Sequence, residues 1–316
     1  MANYGADDWL RGGGGTLKDK GTVVVTCVGS SDQLERASLL VESLRSFGGR
    51  LAHSHVAAYA KGDVDESPRS RLDGLEVIPL NVPDALSSYP LADKVCACAE
   101  AEKDAGDRAR SLVWLAPECL VVDEPSLLDL GDDFDVALRP VHIRNVGSLA
   151  AGPLDGYWKR IYDEVGMEDT GITVESFVDG QHIRAYYNTH VFSTRPSGGL
   201  FRRWLGTFDA LVRDREFQRG ACGDDLHKVF LHQAVLSALV SASVRPERIR
   251  ALPPAYSYPY NLQSSIPSDR RAQWLDDLVC AVYEDRSIDP DSVDDIAIDE
   301  PLRSWLSART KRVQMP

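Results

Sequence analysis

The chain has 316 residues, of which 43% are hydrophobic and 26% charged, a composition typical of a globular protein. Its net charge of -13 argues against a general nucleic-acid-binding protein, because such proteins present a basic face to phosphates. No apolar run approaches the roughly 20 residues that a membrane-spanning helix requires. We therefore expect neither nucleic acid nor a membrane span. Residues 1–20 have a glycine run but no apolar core, which predicts a flexible tail rather than a signal peptide.

Six cysteines are spread along the chain, most of them within apolar runs where cysteine behaves as a small hydrophobic residue. The closest pair, in Cys96-Ala97-Cys98, lacks the two-residue gap and the second pair of a zinc site. Because unpaired cysteines are typical of a reducing compartment, we predict a cytoplasmic location.

The first 80 residues alternate between apolar runs and helical spacing, which predicts the start of a doubly wound α/β sheet. Asp32 and Glu35 have the spacing of a helix cap and its reciprocal partner, and Gly48-Gly49 is typical of a helix end. The turn after the first strand lacks the spaced glycines of a dinucleotide-binding loop, and no phosphate-loop motif occurs. The predicted elements are a strand at 22–28, a helix at 32–47, and strands at 51–59 and 75–80.

A buried helix is predicted at residues 89–101, which carry small apolar side chains at helical spacing. Asp93 and Lys94 lie in its first turn, where the helix dipole favours the aspartate but disfavours the lysine. The unfavourable position of Lys94 suggests an anionic partner. The alternative is a surface lysine near a loop carboxylate.

Residues 111–125 contain the pattern on which the prediction of a functional site depends. A buried strand at 112–115 is followed by a polar break at 116–119 and a second apolar run at 120–122. Ligands in open α/β sheets bind beyond the carboxyl ends of the strands, so the break predicts a functional site. Its ionisable side chain is Glu118, which is either functional or paired with a nearby arginine.

The second half of the chain continues the alternation of strands and helices. Asn188 and His190 occupy alternate positions of an aromatic, strand-like run and would share one face of a regular strand. The predicted elements are strands at 134–141, 185–193 and 249–253, helices starting at 157 and covering 200–212, 224–240, 274–283 and 302–307, and an aromatic loop at 255–262 that covers a cleft.

The order of these pieces resembles the nucleotide-diphospho-sugar transferases, glycosyltransferases of the GT-A fold, over residues 21–262. The matching segments are Asp93-Lys94, Val-Trp-Leu-Ala-Pro-Glu-Cys-Leu-Val at 113–121, Tyr-Asn-Thr-His-Val-Phe at 187–192, Gly199-Leu200 with Trp204, His-Gln-Ala-Val-Leu at 232–236, and the Leu-Pro…Tyr-Asn segment at 252–261. The resemblance implies a mixed, mainly parallel sheet flanked by helices. It also implies a nucleotide-binding half at 21–125 and an acceptor half at 126–262. The helices predicted at 274–283 and 302–307 make 263–316 a C-terminal helical extension.

Two departures from the family pattern bear on function. The family's Asp-x-Asp metal motif is replaced by Ala116 and Glu118, and a divalent cation that bridges two phosphates prefers two or more hard oxygen ligands. We therefore expect no dedicated metal site, with Glu118 as the ligand of any weakly bound Mn²⁺ or Mg²⁺. His190 stands where the family has a small residue.

The resemblance implies a glycosyltransferase-like protein that binds a UDP- or GDP-type nucleotide sugar and transfers the sugar to an acceptor that the sequence does not specify. Cationic side chains would then stabilise the leaving diphosphate, and a carboxylate would accept the acceptor's proton. The candidate catalytic residues are Glu118, Asp224 and Asp225, and the candidate nucleotide-sugar-binding residues are Thr26, Val28, Gly29, Lys94, Arg139, Arg184, Asn188, His190, His232 and Gln233.

Two alternatives stay open. Ala116 also fits a GT-A-fold protein that has lost catalysis and only binds a sugar, a nucleotide or another protein. A nucleotidyltransferase-type enzyme on a related sheet is the third hypothesis, although Gly29-Ser30-Ser31 lacks the basic residue that such an enzyme carries after its first strand.

Overall fold

The computed structural model describes residues 21–62 and 74–313, so the predicted tail at 1–20 lies outside the described residues. The strands are β1 (Gly21–Val28), β2 (His55–Lys61), β3 (Leu75–Leu80), β4 (Ala109–Leu115), β5 (Cys119–Val121), β6 (Val136–Leu138), β7 (Thr173–Glu175), β8 (His182–Arg184), β9 (Val191–Thr194), β10 (Ile249–Ala251), β11 (Tyr258–Pro259) and β12 (Cys280–Val282). The α-helices are α1 (Ser31–Phe47), α2 (Ala92–Ala105), α3 (Gly156–Val165), α4 (Leu200–Arg213), α5 (Arg215–Arg219), α6 (Asp225–Ser243) and α7 (Leu302–Val313).

A seven-stranded sheet with the order β10-β6-β9-β4-β1-β2-β3 forms the centre of the fold. Strand β9 runs antiparallel to both of its neighbours, and the other pairings in this sheet are parallel. Apolar runs such as β1 and β4 lie in its middle because both of their faces are covered. The predicted α/β class with a mixed, mainly parallel sheet is confirmed.

Each face of the sheet packs against its own set of helices. On β1, Val25 and Cys27 belong to the core formed with α2, α4 and α6, whereas Val24 belongs to the core formed with α1. This alternation follows from the two-residue period of a strand. Helices α1 and α2 therefore lie on opposite faces of the seven-stranded sheet, and β1 and β4 end between them. None of the helices in the described ranges is long and apolar enough to cross a membrane.

A second, three-stranded sheet joins the C-terminal segment to the centre of the molecule. Strand β12 pairs antiparallel with β5, with Cys280 opposite Val121, and parallel with β11. The predicted helix at 274–283 is therefore wrong, because its short apolar run forms a strand that is buried on both faces. In the described part of 263–316, the predicted helical extension is α-helical only at 302–313. The boundary at residue 262 stays a prediction.

Three local predictions also need correction. Helix α1 is capped by Ser30, whose hydroxyl accepts from Gln33 N at 3.2 Å, while Asp32 pairs with Arg36 at 3.0 Å instead. A serine with a glutamine three residues later competes for the same capping geometry as Asp32 with Glu35. Residues 49–53 form a 3₁₀ helix, so β2 starts at His55 rather than at 51. The predicted strand at 185–193 is regular only from Val191 onward.

Candidate active site

The site is built around the turn between β4 and β5. Ala116 N donates to the carbonyl of His190 at 2.9 Å, and Cys119 N donates to the carbonyl of Ala116 at 3.0 Å. These bonds close the turn and place it against the segment that enters β9. Glu118 is at its tip with its side chain 24% exposed, so its carboxylate is accessible to solvent while the flanking residues are buried. We name the space beside Glu118, His190 and Lys94 the cleft.

The segment 188–190 is irregular because the side chain of Asn188 folds onto its own backbone. Asn188 Oδ1 accepts from the backbone N of His190 at 2.8 Å, from His190 Nδ1 at 3.2 Å and from the hydroxyl of Ser257 at 3.2 Å. Because an amide oxygen only accepts hydrogen bonds, the His190 Nδ1 that contacts it must carry the hydrogen. Asn188 therefore sets the orientation of the His190 ring, and Nε2 points away from it.

Two carboxylates face His190 Nε2. Glu118 Oε1 lies 3.7 Å away and Glu284 Oε1 lies 3.4 Å away. The contact with His190 is the main reason that the pKa of Glu284 lies below its ordinary value, although partial burial acts in the opposite direction. The backbone N of Tyr283 donates to the carbonyl of Glu118 at 3.0 Å, which links the two carboxylate-bearing segments.

Lys94 lies beneath this cluster, in the first turn of α2. Its ammonium donates to the carbonyl of Thr189 at 2.8 Å and to the Thr189 hydroxyl at 3.3 Å, and it lies 5.2 Å from the Trp114 ring centroid. Burial lowers the pKa of Lys94, while the charge of Glu118 opposes that effect. In the described part of the chain, no carboxylate lies within ion-pair distance of this ammonium. The cleft thus contains a buried cation whose charge is only partly compensated.

His232 and Gln233 meet the same threonine from α6. His232 Nδ1 donates to the carbonyl of Val229 at 2.8 Å, so Nε2 is free to accept from the Thr189 hydroxyl at 3.0 Å. The Thr189 hydroxyl also lies 3.3 Å from Gln233 Oε1. Burial, followed by the charge of Lys94, holds the pKa of His232 well below its ordinary value, so the ring is neutral. Lys94, Thr189 and His232 therefore form one hydrogen-bonded chain under the cleft.

His142 was not predicted and lies directly against His190. The two rings stack with 6.0 Å between their centroids and 19° between their planes. His142 is only 8% exposed, and neither of its ring nitrogens has a hydrogen-bond partner among the described residues. Burial lowers its pKa well below the ordinary value, and the charges of Arg139 and His190 act in the same direction.

The predicted cationic residues Arg139 and Arg184 have other partners. Arg139 is buried, donates to the carbonyl of Ser257 and lies over the ring of Phe177. Its own carbonyl accepts from Asn188 N at 2.8 Å, so Arg139 supports the cluster from below. Arg184 forms a bidentate pair with Asp169 at 2.7 and 3.0 Å, so its charge is already compensated.

The predicted residues at the end of β1 lie at the same edge of the sheet, but they have mainly structural contacts. Thr26 is fully buried, and its hydroxyl has no partner in the described ranges. The side chain of Val28 belongs to an apolar cluster between α1 and β2. Gly29 is exposed, and its N–H donates to the side chain of Gln33 at 2.7 Å. A role for these three residues in binding a nucleotide sugar stays a prediction.

Asp224 and Asp225 are at the start of α6, apart from the cluster. Asp224 is the helix cap and accepts from His227 N at 3.0 Å and from His227 Nδ1 at 2.7 Å. His232 lies about two helical turns further along α6, or roughly 10 Å along its axis. The backbone and ring contacts of His227 lower the pKa of Asp224, as expected for a capping carboxylate. These contacts do not test a catalytic role for either aspartate, which stays a prediction.

The metal site of the resembled family does not fit this cleft. Ala116 offers no side-chain oxygen, and the described residues contain no group of three or more His, Cys, Asp and Glu side chains that could hold a metal ion. All six cysteines are buried and unpaired in the described chain, so Cys96 and Cys98 act as core residues.

The missed residues had weak signals in the sequence. Glu284 follows the apolar run Cys280–Val282, as Glu118 follows β4, but the run was assigned to a helix. His142 comes shortly after the strand-like run that ends in Arg139-Pro140, and nothing in its neighbourhood marked it as buried.

Comparison with known proteins identifies the family. A family model described as the Rhodobacterales glycosyltransferase domain matches residues 25–243. The chain belongs to this glycosyltransferase family. The predicted resemblance to nucleotide-diphospho-sugar transferases is thereby confirmed. None of the curated proteins matches the sequence significantly.

One solved structure agrees with this assignment at the level of the fold. The galactosyltransferase LgtC, crystallised with donor and acceptor sugar analogs, has 13% sequence identity and a TM-score of 0.53, and the match covers 93% of this chain and 97% of LgtC. An active-site mutant of LgtC has 12% identity and a TM-score of 0.49 over the same shares. At this identity the first match supports the GT-A-like fold and no finer statement.

Proposed function

We propose that this glycosyltransferase-like protein binds a nucleotide sugar of the UDP or GDP type in the cleft around Lys94, Glu118 and His190, and transfers the sugar to an acceptor hydroxyl. The observation that carries the proposal is the buried ammonium of Lys94, which has no carboxylate partner among the described residues. A buried charge without a counter-ion is costly, and an anionic ligand beside Lys94 would offset that cost.

The contacts of Lys94 leave it able to bind an anion. An ammonium group has three donors, and two of those of Lys94 go to the carbonyl and the hydroxyl of Thr189, which leaves the third without a hydrogen-bond acceptor among the described residues. A diphosphate oxygen would be a better acceptor than either, since charge-assisted hydrogen bonds are roughly twice as strong as neutral ones. We propose that Lys94 stabilises the negative charge that develops on the leaving nucleoside diphosphate.

Glu118 is the proposed general base because it is the carboxylate at the tip of the turn. In a direct displacement the acceptor oxygen forms a bond to the anomeric carbon while its proton passes to Glu118. The bond between that carbon and the phosphate oxygen breaks, and its electron pair leaves on the diphosphate. Asn188 and Gln233 would hydrogen-bond sugar hydroxyls, which suits their amide groups.

A screen of ligand-induced thermal stabilisation tests the proposal. The protein is heated with UDP, GDP, UDP-glucose, UDP-galactose and GDP-mannose, each with and without Mn²⁺. A ligand at about 100 times its dissociation constant adds about 2.7 kcal/mol of stability. Stabilisation by at least one nucleotide without Mn²⁺ would support a metal-free donor site. Stabilisation only with Mn²⁺ would contradict the metal-free form, and no stabilisation would contradict nucleotide binding altogether.

A catalytically inactive binding module is the second candidate, and Ala116 supports it. Its methyl group is 2% exposed where the resembled family carries an aspartate. Donor hydrolysis separates the two candidates, because a transferase also releases its sugar slowly to water. Hydrolysis that is lost in Glu118→Gln supports the enzyme, whereas nucleotide binding without turnover supports the module. The unpaired cysteines support the further proposal of a cytoplasmic location.

A further inference from the structure

Glu284 enters the cleft from a segment that lies beyond the residues matched by the family model, 25–243. Its Oε2 accepts from Asn261 Nδ2 at 2.8 Å, and its carbonyl accepts from Arg36 of α1. Its backbone has a φ of 47°, a conformation that non-glycine residues adopt rarely and at a cost. The surrounding chain therefore holds Glu284 in an unfavourable conformation, and its carboxylate points at His190.

The remaining contacts of the His190 ring are those of its Nε2 with the carboxylates of Glu284 and Glu118. Nδ1 is fixed by Asn188, and one face of the ring is covered by His142. Neither contact prevents the ring from tilting about the Nδ1 hydrogen bond. Glu284 Oε1 lies 3.4 Å from Nε2 and would attract a hydrogen on that nitrogen, so its carboxylate opposes this motion together with that of Glu118, whose Oε1 lies 3.7 Å away.

We infer that Glu284 is a positioning residue, which holds the His190 ring so that its Nε2 stays beside the carboxylate of Glu118. This inference rests on the proposed function, because Glu118 is the proposed general base there. The C-terminal segment would thus complete a catalytic cleft whose other residues come from the matched domain. Arg36 links α1 to the same segment, because its guanidinium donates to the carbonyl of Glu284 and pairs with Asp285 at 3.1 Å.

The two substitutions Glu284→Gln and Glu124→Gln form a matched pair. Glutamine keeps the size of the Glu284 side chain and an oxygen for Asn261, but it removes the negative charge that faces His190. Glu124 also follows a short strand of the second sheet, and its carboxylate pairs with Arg50 at 2.8 Å, outside the cluster. Glu284→Asp, which keeps the charge, serves as the conservative rescue.

The first readout is hydrolysis of UDP-glucose, UDP-galactose and GDP-mannose, with kcat and KM determined separately. For Glu284→Gln we expect kcat to fall by about 10- to 100-fold with KM within about two-fold, since small misplacements of catalytic groups cost rates of this order. Glu284→Asp should recover part of the loss, and Glu124→Gln should match the wild type. An unchanged kcat in Glu284→Gln would overturn the inference.

The second readout does not need turnover. Nitrogen-15 NMR of the His190 imidazole, assigned with His190→Gln, reports whether the ring is held in one orientation. We expect one narrow set of ring signals in the wild type and in Glu124→Gln, and broadened or doubled signals in Glu284→Gln. Identical ring signals in all three proteins would overturn the inference. If the wild type hydrolyses no nucleotide sugar, the proposed function fails, and the NMR comparison still decides whether Glu284 positions His190.

Discussion

Replacing His142 with phenylalanine should stabilise the protein and weaken the pH dependence of its stability. The histidine ring is buried against His190, and its two nitrogens have no hydrogen-bond partner among the described residues. Leaving a buried polar group unpaired costs about 1–3 kcal/mol. Phenylalanine keeps a flat ring in the stack and removes both nitrogens. After allowing for the slightly larger ring, we expect the free energy of unfolding near pH 7 to rise by about 1 kcal/mol.

The pH dependence follows from the direction of the pKa change. Burial holds the pKa of His142 well below the ordinary value of about 6.5, so below that pH the unfolded chain binds a proton that the folded chain excludes. Stability contributed in this way is present above about pH 6.5 and falls by up to about 1.4 kcal/mol per pH unit below it. His232 acts in the same direction and is unchanged in the variant. Below about pH 6.5, the free energy of unfolding of the variant should therefore fall less steeply with pH than that of the wild type, by up to about 1.4 kcal/mol per pH unit.

Urea unfolding between about pH 7 and about pH 5 measures both effects, a window above that in which most carboxylates titrate. His53→Phe is the control, because the His53 side chain is exposed and forms no hydrogen bond or ion pair with the described residues. Equal slopes in His142→Phe and the wild type would refute the buried, neutral state of His142. A loss of stability at every pH would show that the nitrogens bind a partner, such as an ordered water.

The other predictions concern the helix ends and the metal. Asp224→Ala should lower the free energy of unfolding by about 1 kcal/mol, because it removes the α6 cap, and should leave donor hydrolysis unchanged. The free energy of unfolding of Asp225→Ala should lie within about 0.5 kcal/mol of that of the wild type. A large loss of hydrolysis in either variant would support that aspartate as the general base. Glu102→Gln should lower the free energy of unfolding in urea by about 1–3 kcal/mol. The fully buried carboxylate of Glu102 accepts from the N–H groups of Phe201 and Arg202 at 3.0 Å each. An unchanged urea midpoint would contradict this expectation. EDTA should change donor hydrolysis by less than about two-fold, because the described residues contain no group of three or more His, Cys, Asp and Glu side chains that could hold a metal ion. Abolished hydrolysis would contradict the metal-free proposal.

The sequence predicted the part of the fold that depends on local patterns. Buried strands such as β1 and β4 are continuous apolar runs, and α4 has apolar residues at helical spacing, so each could be assigned from its own residues. The same logic placed Glu118 at the end of β4. Lys94, Asn188, His190 and Glu118 were predicted at one site, and the contacts described above bring them together.

The sequence did not predict features that depend on long-range pairing. Strand β12 is three residues long, and its identity depends on β5, which precedes it by more than 150 residues. A short apolar run cannot be distinguished from a helix segment by periodicity. Because β12 was missed, Glu284 was missed with it. The burial of His142 likewise results from its contact with His190, which no local pattern encodes.

Donor binding by Lys94→Met tests the central claim most directly. Isothermal titration with UDP and GDP compares the wild type, Lys94→Met and Lys103→Met, the last an exposed lysine of the same helix that pairs with Glu100 at 2.9 Å. A charge-assisted hydrogen bond contributes about 1.5–3 kcal/mol, which corresponds to about 10- to 100-fold in affinity. We predict this loss for Lys94→Met and none for Lys103→Met. Equal affinity in all three proteins, with Lys94→Met folded, would contradict the assignment of the cleft as the nucleotide-sugar site.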